Sequence, residues 1–379
     1  MLTTTQPNLI HAVTRGHPEV TSFDIELVAR YQQFLESKRF NWSVYHRLQK
    51  RLGAGGQGVV FLTELRGADG FTLPVAVKMF TPECYESARA YDEAMTRIAR
   101  VSALVAMIQQ DNLLDVQNFV DRERIRMMVM EWVDGFDLRR LLCPQTLQRV
   151  QARVSARRWA YINDVIATRG PEQTRFKPGV AVAIVRECLA ALAALHREEI
   201  LHADIKPSNV MLKRTGNAKI IDIGSAFRLD DPPHDRTCTP IYAAPEVLDG
   251  GQSTPRSDLA SLGYMLIEML SGRQPFAGLQ TYRELLEAKR LLPHRLTAIL
   301  PAEVTCNQLL MSFCRGLIAP DPMLRFPDAD AATLVEDGAA AFLRQLVKGD
   351  MSSEYENELR LLIEELRDLE ETEHEEGTA

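Results

Sequence analysis

The stretch LHADIKPSNVML, residues 201–212, places a cluster of polar and charged side chains between two apolar ends. Within it, Asp204 can accept a proton from an attacking hydroxyl group, and Lys206 can neutralise a phosphoryl group during its transfer. Asn209 can hold a metal ion through its amide oxygen. Neither a buried strand nor an ordinary solvated loop needs this combination. The stretch is therefore a candidate functional loop, and the motifs around it decide which chemistry it serves.

A second polar site follows 13 residues after Asn209, in IIDIGSAF at residues 220–227. This run supplies Asp222 at the end of an apolar segment and before a glycine. A carboxylate in that position can bind Mg²⁺ between the phosphates of a nucleotide. The apolar runs NVML and AKII are joined by the turn signal KRTGNA, so we expect them to pair as a hairpin.

Upstream, LGAGGQGVV at residues 52–60 brings Gly53, Gly55 and Gly58 together. Glycines at this spacing let backbone N–H groups approach a phosphate closely. The motif joins two strand-like runs instead of opening a helix, which disfavours a dinucleotide-binding fold. Taken alone, the pattern fits any tight hairpin.

Lys78 lies in the apolar, strand-like run TLPVAVKMF, residues 72–80. A buried lysine is unfavourable unless an anion meets it, so Lys78 is a candidate phosphate ligand. The alternative is a lysine at a strand edge whose amine reaches solvent.

The predicted secondary structure changes along the chain. Residues 45–133 are typical of a small, mostly β lobe, and residues 134–346 of a helical lobe. Residues 1–44 form an N-terminal extension with a short amphipathic helix at residues 21–38, and residues 347–379 form an acidic helical tail. The expected fold class is α+β, with a β-rich N-lobe and a larger helical C-lobe.

Composition sets limits on the partners of the chain. Its 379 residues, 46% of them hydrophobic, suffice for two lobes with cores of their own. The formal net charge of -7 is uneven, because residues 350–379 carry -10 and residues 1–349 carry +3. An excess of +3 is too small to predict nucleic acid as a partner.

Cysteine usage and hydropathy predict a cytoplasmic protein. The six cysteines show neither a CxxC pair nor the spacing of a metal site, which fits a reducing compartment. The most apolar run, residues 179–196, is interrupted by Arg186 and Glu187. No membrane-spanning segment is therefore expected.

Taken in order, these motifs resemble those of the bacterial, eukaryotic-like (Hanks-type) Ser/Thr protein kinases, across roughly residues 45–345. RTCTPIYAAPE, residues 236–246, resembles the end of the activation segment, and its last three residues match the family's A-P-E. Asp258 matches the residue that holds the catalytic loop by its backbone. Arg325 in DPMLRF is the expected partner of Glu246.

The resemblance implies an ATP-dependent protein kinase that acts on Ser and Thr hydroxyl groups. Asp204 would be the catalytic base, and Lys206 the lysine that stabilises the phosphoryl group. Asn209 and Asp222 would bind Mg²⁺, with Mn²⁺ as an alternative. Lys78 would hold the α- and β-phosphates of ATP.

The resemblance also implies a set of nucleotide-binding residues. The Glu131 carbonyl and the Val133 backbone would bond the adenine base, and Asp137 could reach the ribose. Lys206 together with Thr239 is the pattern of Ser/Thr kinases and not of Tyr kinases. The full set is Leu52, Gly53, Gly55, Gly58, Val60, Ala76, Lys78, Glu93, Glu131, Val133 and Asp137.

Glu93 is the expected ion-pair partner of Lys78. The family's glutamate usually has an apolar residue four places later, where this chain has Arg97. Asp92 and Glu86 are therefore alternatives.

Two departures from the family pattern concern regulation. The family's H-R-D is H-A-D here, and Ala203 replaces an arginine that repels the activation segment in many relatives until a phosphate pairs with it. Residues 143–177 form an insertion with a net charge of +5, longer than the family's usual link. An acidic partner, or the acidic tail of the chain, is expected on this basic insertion, whereas a solvated tail helix is the simpler alternative.

Two other classes of function compete with an active protein kinase. A pseudokinase scaffold, which binds nucleotide and partner proteins, typically loses Lys78, Asp204 or Asp222, and all three are present. A small-molecule kinase would share the base and the metal ligands, but it would lack the Thr239 element and the A-P-E sequence.

Overall fold

The structure is a computed structural model, in which the chain divides into two units by internal packing. The first unit takes the described residues up to Thr96 together with Phe119–Met128, and the second takes Arg97–Asn118 and the residues from Val129 onwards. The residues that the structure describes are 22–37, 40–41, 45–46, 48–67, 69–233, 238–334, 336–348 and 355–376.

Strands dominate the first unit. Five of them form one sheet in the order β3-β4-β5-β7-β6, and the β3/β4 and β4/β5 pairs are antiparallel. α2, β6 and β7 continue into the second unit. The elements are α1 (Ser22–Glu36), β1 (Phe40–Asn41), β2 (Tyr45–His46), β3 (Leu48–Gly55), β4 (Gly58–Arg66), β5 (Thr72–Phe80), α2 (Ala88–Val105), β6 (Val116–Arg122) and β7 (Ile125–Glu131).

α2 is fixed to this sheet by a buried tyrosine. Tyr91 is fully buried, and its hydroxyl group donates to the Phe80 carbonyl at 3.3 Å and accepts from the Arg126 amide at 2.9 Å. Burial raises the pKa of Tyr91 to about 12, so the phenol stays neutral and can act as both donor and acceptor. The single helix expected in the β-rich lobe is thereby attached to the strand that carries Lys78.

Helices dominate the second unit, with short strands between them. Its further elements are β8 (Gly135–Asp137), α3 (Leu138–Leu142), α4 (Pro144–Arg153), α5 (Ala156–Tyr161), β9 (Ala167–Arg169), β10 (Thr174–Phe176), α6 (Pro178–Arg197), β11 (Ile200–Leu201), β12 (Val210–Lys213), β13 (Ala218–Ile220), β14 (Phe227–Arg228), α7 (Pro245–Leu248), α8 (Pro255–Ser271), α9 (Tyr282–Ile299), α10 (Ala302–Thr305), α11 (Gln308–Ile318), α12 (Ala329–Leu334), α13 (Ala339–Lys348) and α14 (Tyr355–Glu376). A π-helical turn, Ile162–Ile166, links α5 to β9.

The hairpin predicted for the runs NVML and AKII is confirmed. β12 and β13 pair antiparallel, with Val210 opposite Ile220, and β8 pairs with the other edge of β12. Along the chain, β12 and β13 thus connect the loop that carries Asp204 to the run that carries Asp222.

α6 and α8 form the core of the helical unit. Every residue of α8 from Ser257 to Ser271 is buried. Within the described residues, α6 is the one helix whose length and hydropathy would suit a membrane span, but 67% of its most apolar window is buried inside the protein. The apolar residues of α6 therefore belong to the core of the helical unit.

The C-terminal helix α14 packs against the insertion. Leu359, Leu362, Ile363 and Leu366 are each at most 4% exposed, and α14 contacts α4, α6, β12 and the π-helical turn. The tail is helical as expected, but one of its faces is packed and not solvated. Leu359, Leu362, Ile363 and Leu366 form its buried face.

Two glycines allow this close approach. A Cβ atom at Gly179 would lie 2.0 Å from the Tyr355 hydroxyl oxygen, and one at Gly216 would lie 1.9 Å from the Glu356 carbonyl oxygen. The start of α14 therefore depends on small residues in α6 and in the β12–β13 turn.

Candidate active site

Asp204 lies in the loop between β11 and β12, at the centre of a closed set of hydrogen bonds. Its carboxylate accepts from Lys206 Nζ at 2.6 Å and from Thr239 Oγ1 at 2.6 Å. Lys206 Nζ also donates to Thr239 Oγ1 at 2.8 Å. A carboxylate that already accepts from one hydroxyl group is well placed to accept the proton of another.

Asn209 turns its amide nitrogen toward this carboxylate. Nδ2 donates to the Asp204 carbonyl at 2.8 Å and to Asp204 Oδ2 at 3.2 Å, so the amide oxygen faces away from Asp204. The Asn209 carbonyl accepts from the Ile221 amide at 2.9 Å, which ties the Asn209 loop to the residue just before Asp222. The structure therefore brings the two predicted metal ligands onto adjacent, bonded segments.

These two residues fit a hard divalent cation. An amide oxygen and a carboxylate are the ligand types that Mg²⁺ takes, and it commonly binds one or two protein groups plus substrate phosphates. Asp222 Oδ1 accepts from the Gly224 amide at 2.8 Å, which fixes its orientation. In the described part of the chain, no cluster of three or more His, Cys, Asp or Glu side chains forms a metal cage. The donor set suits a cation that arrives with a nucleotide.

Asp258 of α8 holds the backbone of the loop that carries Asp204. Asp258 accepts from the amides of His202 and Ala203 at 2.9 Å each, and from His196 Nε2 at 2.9 Å. Burial alone would raise the pKa of Asp258, but these bonds hold it below its usual value, so the carboxylate stays ionised. Ala203 has a φ of 62°, in the left-handed region.

His202 is buried next to Asp204. Its Nδ1 accepts from the Asp204 amide at 3.3 Å, and burial lowers the pKa of the ring. The imidazole is therefore neutral and orients the loop without adding charge.

The end of the predicted activation segment is anchored by the expected ion pair. The Arg325 guanidinium group donates to both oxygens of Glu246 at 2.7 Å, and the arginine side chain is fully buried. Burial would raise the pKa of Glu246, yet Arg325 and Ser257 hold it below its usual value. The prediction of a Glu246–Arg325 pair is confirmed.

In the first unit, the glycine-rich motif forms the β3–β4 hairpin. Gly58 has a φ of 143°, and a Cβ atom there would lie 1.9 Å from the Met79 carbonyl oxygen, so only glycine fits. Gly53 and Gly55 have open space around the position of a Cβ atom. The hairpin joins two strands, as the sequence predicted.

Lys78 lies on β5, opposite Val60 of β4, and is only 5% exposed. Its Nζ donates to Gln57 Oε1 at 2.9 Å and lies 5.3 Å from the centre of the Phe80 ring. The alternative of a lysine that reaches solvent at a strand edge is therefore wrong. Gln57, from the glycine-rich turn, was not predicted as a site residue.

The structure does not bring Glu93 to Lys78. Glu93 accepts from Arg89 Nε at 2.8 Å, one turn earlier in α2, and its side chain is 56% exposed. The alternative Asp92 pairs with Arg124 and Arg126. The ion pair of Lys78 with Glu93 stays a prediction.

The predicted adenine and ribose residues lie around β7 and β8. Glu131 ends β7, and its carboxylate accepts from the Asp115 amide at 2.7 Å and from Lys219 Nζ. Asp137 caps α3 by accepting from the Arg140 amide at 2.9 Å. Burial raises its pKa.

Lys219, which was not predicted from the sequence as a site residue, is a buried lysine of β13. Its sequence signal is the one that revealed Lys78, a lysine inside the short apolar run AKII. The remaining predicted nucleotide-binding residues of the first unit differ in exposure, since Leu52 is 42% and Ala76 is 5% exposed.

Comparison with known proteins agrees with this geometry. The family model for the protein kinase domain matches residues 45–335. The chain is 27% identical over 237 residues to the Ser/Thr-protein kinase PrkC of Bacillus subtilis (62% of this chain, 31% of PrkC). It is 28% identical over 246 residues to PkaA of Streptomyces coelicolor (61% and 39%) and 30% identical over 237 residues to PknL of Mycobacterium tuberculosis (61% and 50%).

The matched region thus spans a third to a half of the length of these relatives. The family model covers most of the chain, including the loop that carries Asp204, the run that carries Asp222 and the A-P-E sequence at the end of the predicted activation segment. The predicted two-lobed α+β fold and the predicted family are confirmed. The chain belongs to the protein kinase family, within the bacterial Hanks-type Ser/Thr kinases.

Proposed function

We propose that this protein transfers the γ-phosphoryl group of ATP to Ser or Thr hydroxyl groups of protein substrates. The observation that carries the proposal is the triangle of Asp204, Lys206 and Thr239, in which one carboxylate accepts from a lysine and from a hydroxyl group at 2.6 Å each. The Thr239 hydroxyl group occupies one oxygen of the base in the manner of an acceptor hydroxyl. Such a base can receive the proton of a substrate Ser or Thr.

Each charged residue has a separate part in this proposal. Lys206 would offset negative charge on the phosphoryl group, and Lys78 would hold the α- and β-phosphates of ATP. Asn209 and Asp222 would hold Mg²⁺, for which Mn²⁺ could substitute, and the cation would neutralise charge on the phosphates.

The nucleotide-binding residues carry over from the family motif by position. Backbone groups of Glu131 and Val133 would bond the adenine, and Asp137 would bond the ribose. Glu93 would pair with Lys78. Residues that would enclose the nucleotide are Leu52, Gly53, Gly55, Gly58, Val60 and Ala76.

Two competing functions explain fewer features of the chain. A pseudokinase scaffold has no need for Asp204, Lys206 and Thr239 bonded to one another. A small-molecule kinase has no need for the buried Glu246–Arg325 pair that anchors an activation segment. Both features favour a kinase that binds an extended protein substrate.

The domain boundaries and the setting complete the proposal. The kinase domain would be residues 45–346, preceded by an extension (1–44) and followed by the acidic tail (347–379). Lobes at residues 45–133 and 134–346 would divide it, with the basic insertion at 143–177. The domain would work in the cytoplasm, where ATP is available, and the partner of the insertion would be the chain's own tail. Nucleic acid has no part in the proposal.

The test is transfer of radiolabelled phosphate from ATP to dephosphorylated casein in the presence of Mg²⁺. We expect transfer by the full chain to Ser and Thr, and a loss of roughly 100-fold or more in Asp204→Asn, because that change removes the base without changing the volume of the side chain. Thermal unfolding of both proteins controls for folding. Near-normal transfer by Asp204→Asn would refute the assignment.

A further inference from the structure

Lys289 is a fully buried lysine that the proposed reaction does not use. It lies on the same stripe of α9 as Leu285, Leu292 and Leu296, all of them buried, and its own exposure is 0%. Most buried lysines are paired with a carboxylate. Among the described residues, Lys289 forms no ion pair with an acid.

Aromatic rings and one carbonyl group surround the amine. Lys289 Nζ donates to the Ile241 carbonyl at 2.7 Å. It lies 3.9 Å from the centre of the Tyr264 ring and 4.1 Å from that of Phe276, and these rings meet edge to face at 5.2 Å. Both rings offer the cation–π attraction that a lysine can use in a dry site.

The electrostatic surroundings oppose the charge. Burial lowers the pKa of Lys289 well below its usual range, Arg325 lowers it further, and Cys238 acts in the opposite direction. Without a carboxylate partner, such an amine costs folding free energy compared with an apolar side chain of the same volume. Stability therefore does not explain a lysine at this position.

The carbonyl that Lys289 holds belongs to the segment next to the catalytic loop. Ile241 comes two residues after Thr239, which is bonded to Asp204. The next residue, Tyr242, donates to Glu268 of α8 at 2.6 Å. Residues 239–242 are thus bonded to the catalytic loop at one end and to α8 at the other, and Lys289 supplies the bond from α9 between them.

We propose that Lys289 is a positioning residue that fixes the Ile241 carbonyl and thereby the shape of residues 239–244, which begin at Thr239 beside the base Asp204, where the acceptor hydroxyl group would lie. The proposal rests on the proposed protein kinase function. We expect Lys289 to affect binding of the acceptor protein and not binding of ATP, because its amine contacts neither Asp204 nor the predicted ATP ligands.

The test compares Lys289→Met with Arg290→Met in the full chain. Methionine fills the same space without a donor or a charge, and Arg290 is the next residue of α9, where it pairs with Asp249 at the surface. For Lys289→Met we expect hydrogen exchange of the amides of residues 241–244 to accelerate about fivefold or more. The thermal midpoint should stay the same or rise.

Kinetics supply the second readout. In Lys289→Met, kcat/KM for casein should fall about tenfold while KM for ATP changes less than about twofold. Lys289→Gln, which keeps a donor without the charge, should fall between Lys289→Met and the wild type. Arg290→Met should match the wild type in every measurement.

Two results would overturn the proposal. Unchanged exchange at residues 241–244 in a folded Lys289→Met protein would show that the amine does not hold the segment. A lower thermal midpoint with equal losses toward casein and ATP would show a structural role alone. If the wild-type chain transferred no phosphate at all, the proposed function would fail, and the exchange measurement would still decide the role of Lys289.

Discussion

Arg158 Nε donates to Glu365 Oε1 at 2.7 Å, although the two residues are 207 positions apart in the chain. Arg158 belongs to the insertion and Glu365 to α14, and another nitrogen of the same arginine donates to Glu358 at 3.1 Å. The basic insertion and the acidic tail therefore meet. Arg175 and Lys177, two further basic residues of the insertion, pair instead with Glu303.

Apolar burial carries most of this contact. Leu359, Leu362, Ile363 and Leu366 are buried, and each contributes roughly 1.5–3 kcal/mol relative to an exposed side chain, whereas an ion pair near the surface contributes at most about 1 kcal/mol. The tail is therefore held chiefly by its leucine and isoleucine face, and the ion pairs of Arg158 add to this contact.

The first prediction concerns this face. Ile363→Ala should lower the free energy of unfolding of the helical unit by about 2–5 kcal/mol, because the side chain is 0% exposed. Leu361→Ala, at a half-buried position of the same helix, is the matched control and should cost less. Urea unfolding followed by circular dichroism measures both. Equal costs would contradict the packing of α14 seen here.

Salt provides a separate check on the same contact. Salt screens ion pairs but does not screen apolar contacts. If apolar contacts hold the tail, the full chain at about 0.5 M salt should keep a rate of protein-substrate turnover that differs from the rate of a chain truncated before residue 355. If salt reproduced the truncation, charge would be the dominant force after all.

The second prediction concerns Lys78. Lys78→Met should reduce phosphate transfer roughly 100-fold or more and leave the thermal midpoint within a few degrees, since the amine serves charge placement and not packing. Binding of a fluorescent ATP analogue separates nucleotide positioning from folding. Lys50→Met, on the exposed strand β3, is the control.

The third prediction concerns acid stability. The folded-state pKa of Glu246 lies below its ordinary value, so its stabilising effect is fully present above the ordinary pKa and is lost as pH falls through the lower, folded pKa. Glu246→Gln should flatten this acid-dependent part of the unfolding free energy. Arg325→Met leaves Glu246 unpaired and should destabilise the fold by about 3–5 kcal/mol at pH 7. Urea titrations between pH 3 and pH 7 measure both effects; an unchanged acid limb in Glu246→Gln would argue against the pair.

The fourth prediction concerns regulation. Ser225, Thr237 and Thr239 are the Ser and Thr residues between Asp222 and Glu246. Thr239 is bonded to Asp204, and Ser225 lies three residues after the predicted metal ligand Asp222, so Thr237, which lies outside the described residues, is the candidate phosphosite.

Ala203 stands where many relatives have an arginine, so this position offers no positive charge to pair with a phosphate on Thr237. Phosphatase-treated enzyme and Thr237→Ala should therefore keep most of their activity toward casein. A large loss that phosphorylation of Thr237 reversed would contradict this expectation.

The sequence by itself predicted the family, the α+β fold and the order of the site residues. It could do so because catalytic chemistry restricts residue type and spacing within short loops, as in HADIKPSN and IIDIGS. The β12–β13 hairpin followed from local turn chemistry, and the Glu246–Arg325 pair followed from the family motif.

Only the tertiary structure decided which side chains meet across long distances in the chain. The placement of Glu93 beside Arg89, and of Lys219 beside Glu131, depends on how helix and strand faces are turned, which spacing alone does not fix. The charges predicted that the tail and the insertion attract each other. The apolar contact between them could not be predicted, because a stripe of four apolar residues spans barely two heptads in the sequence, which is too short to indicate a packed helix. Lys289 is the clearest case: in the sequence it is one more charged residue of an amphipathic helix, and its burial arises only when α9 brings it against Tyr264 of α8 and Phe276 of the segment between the two helices.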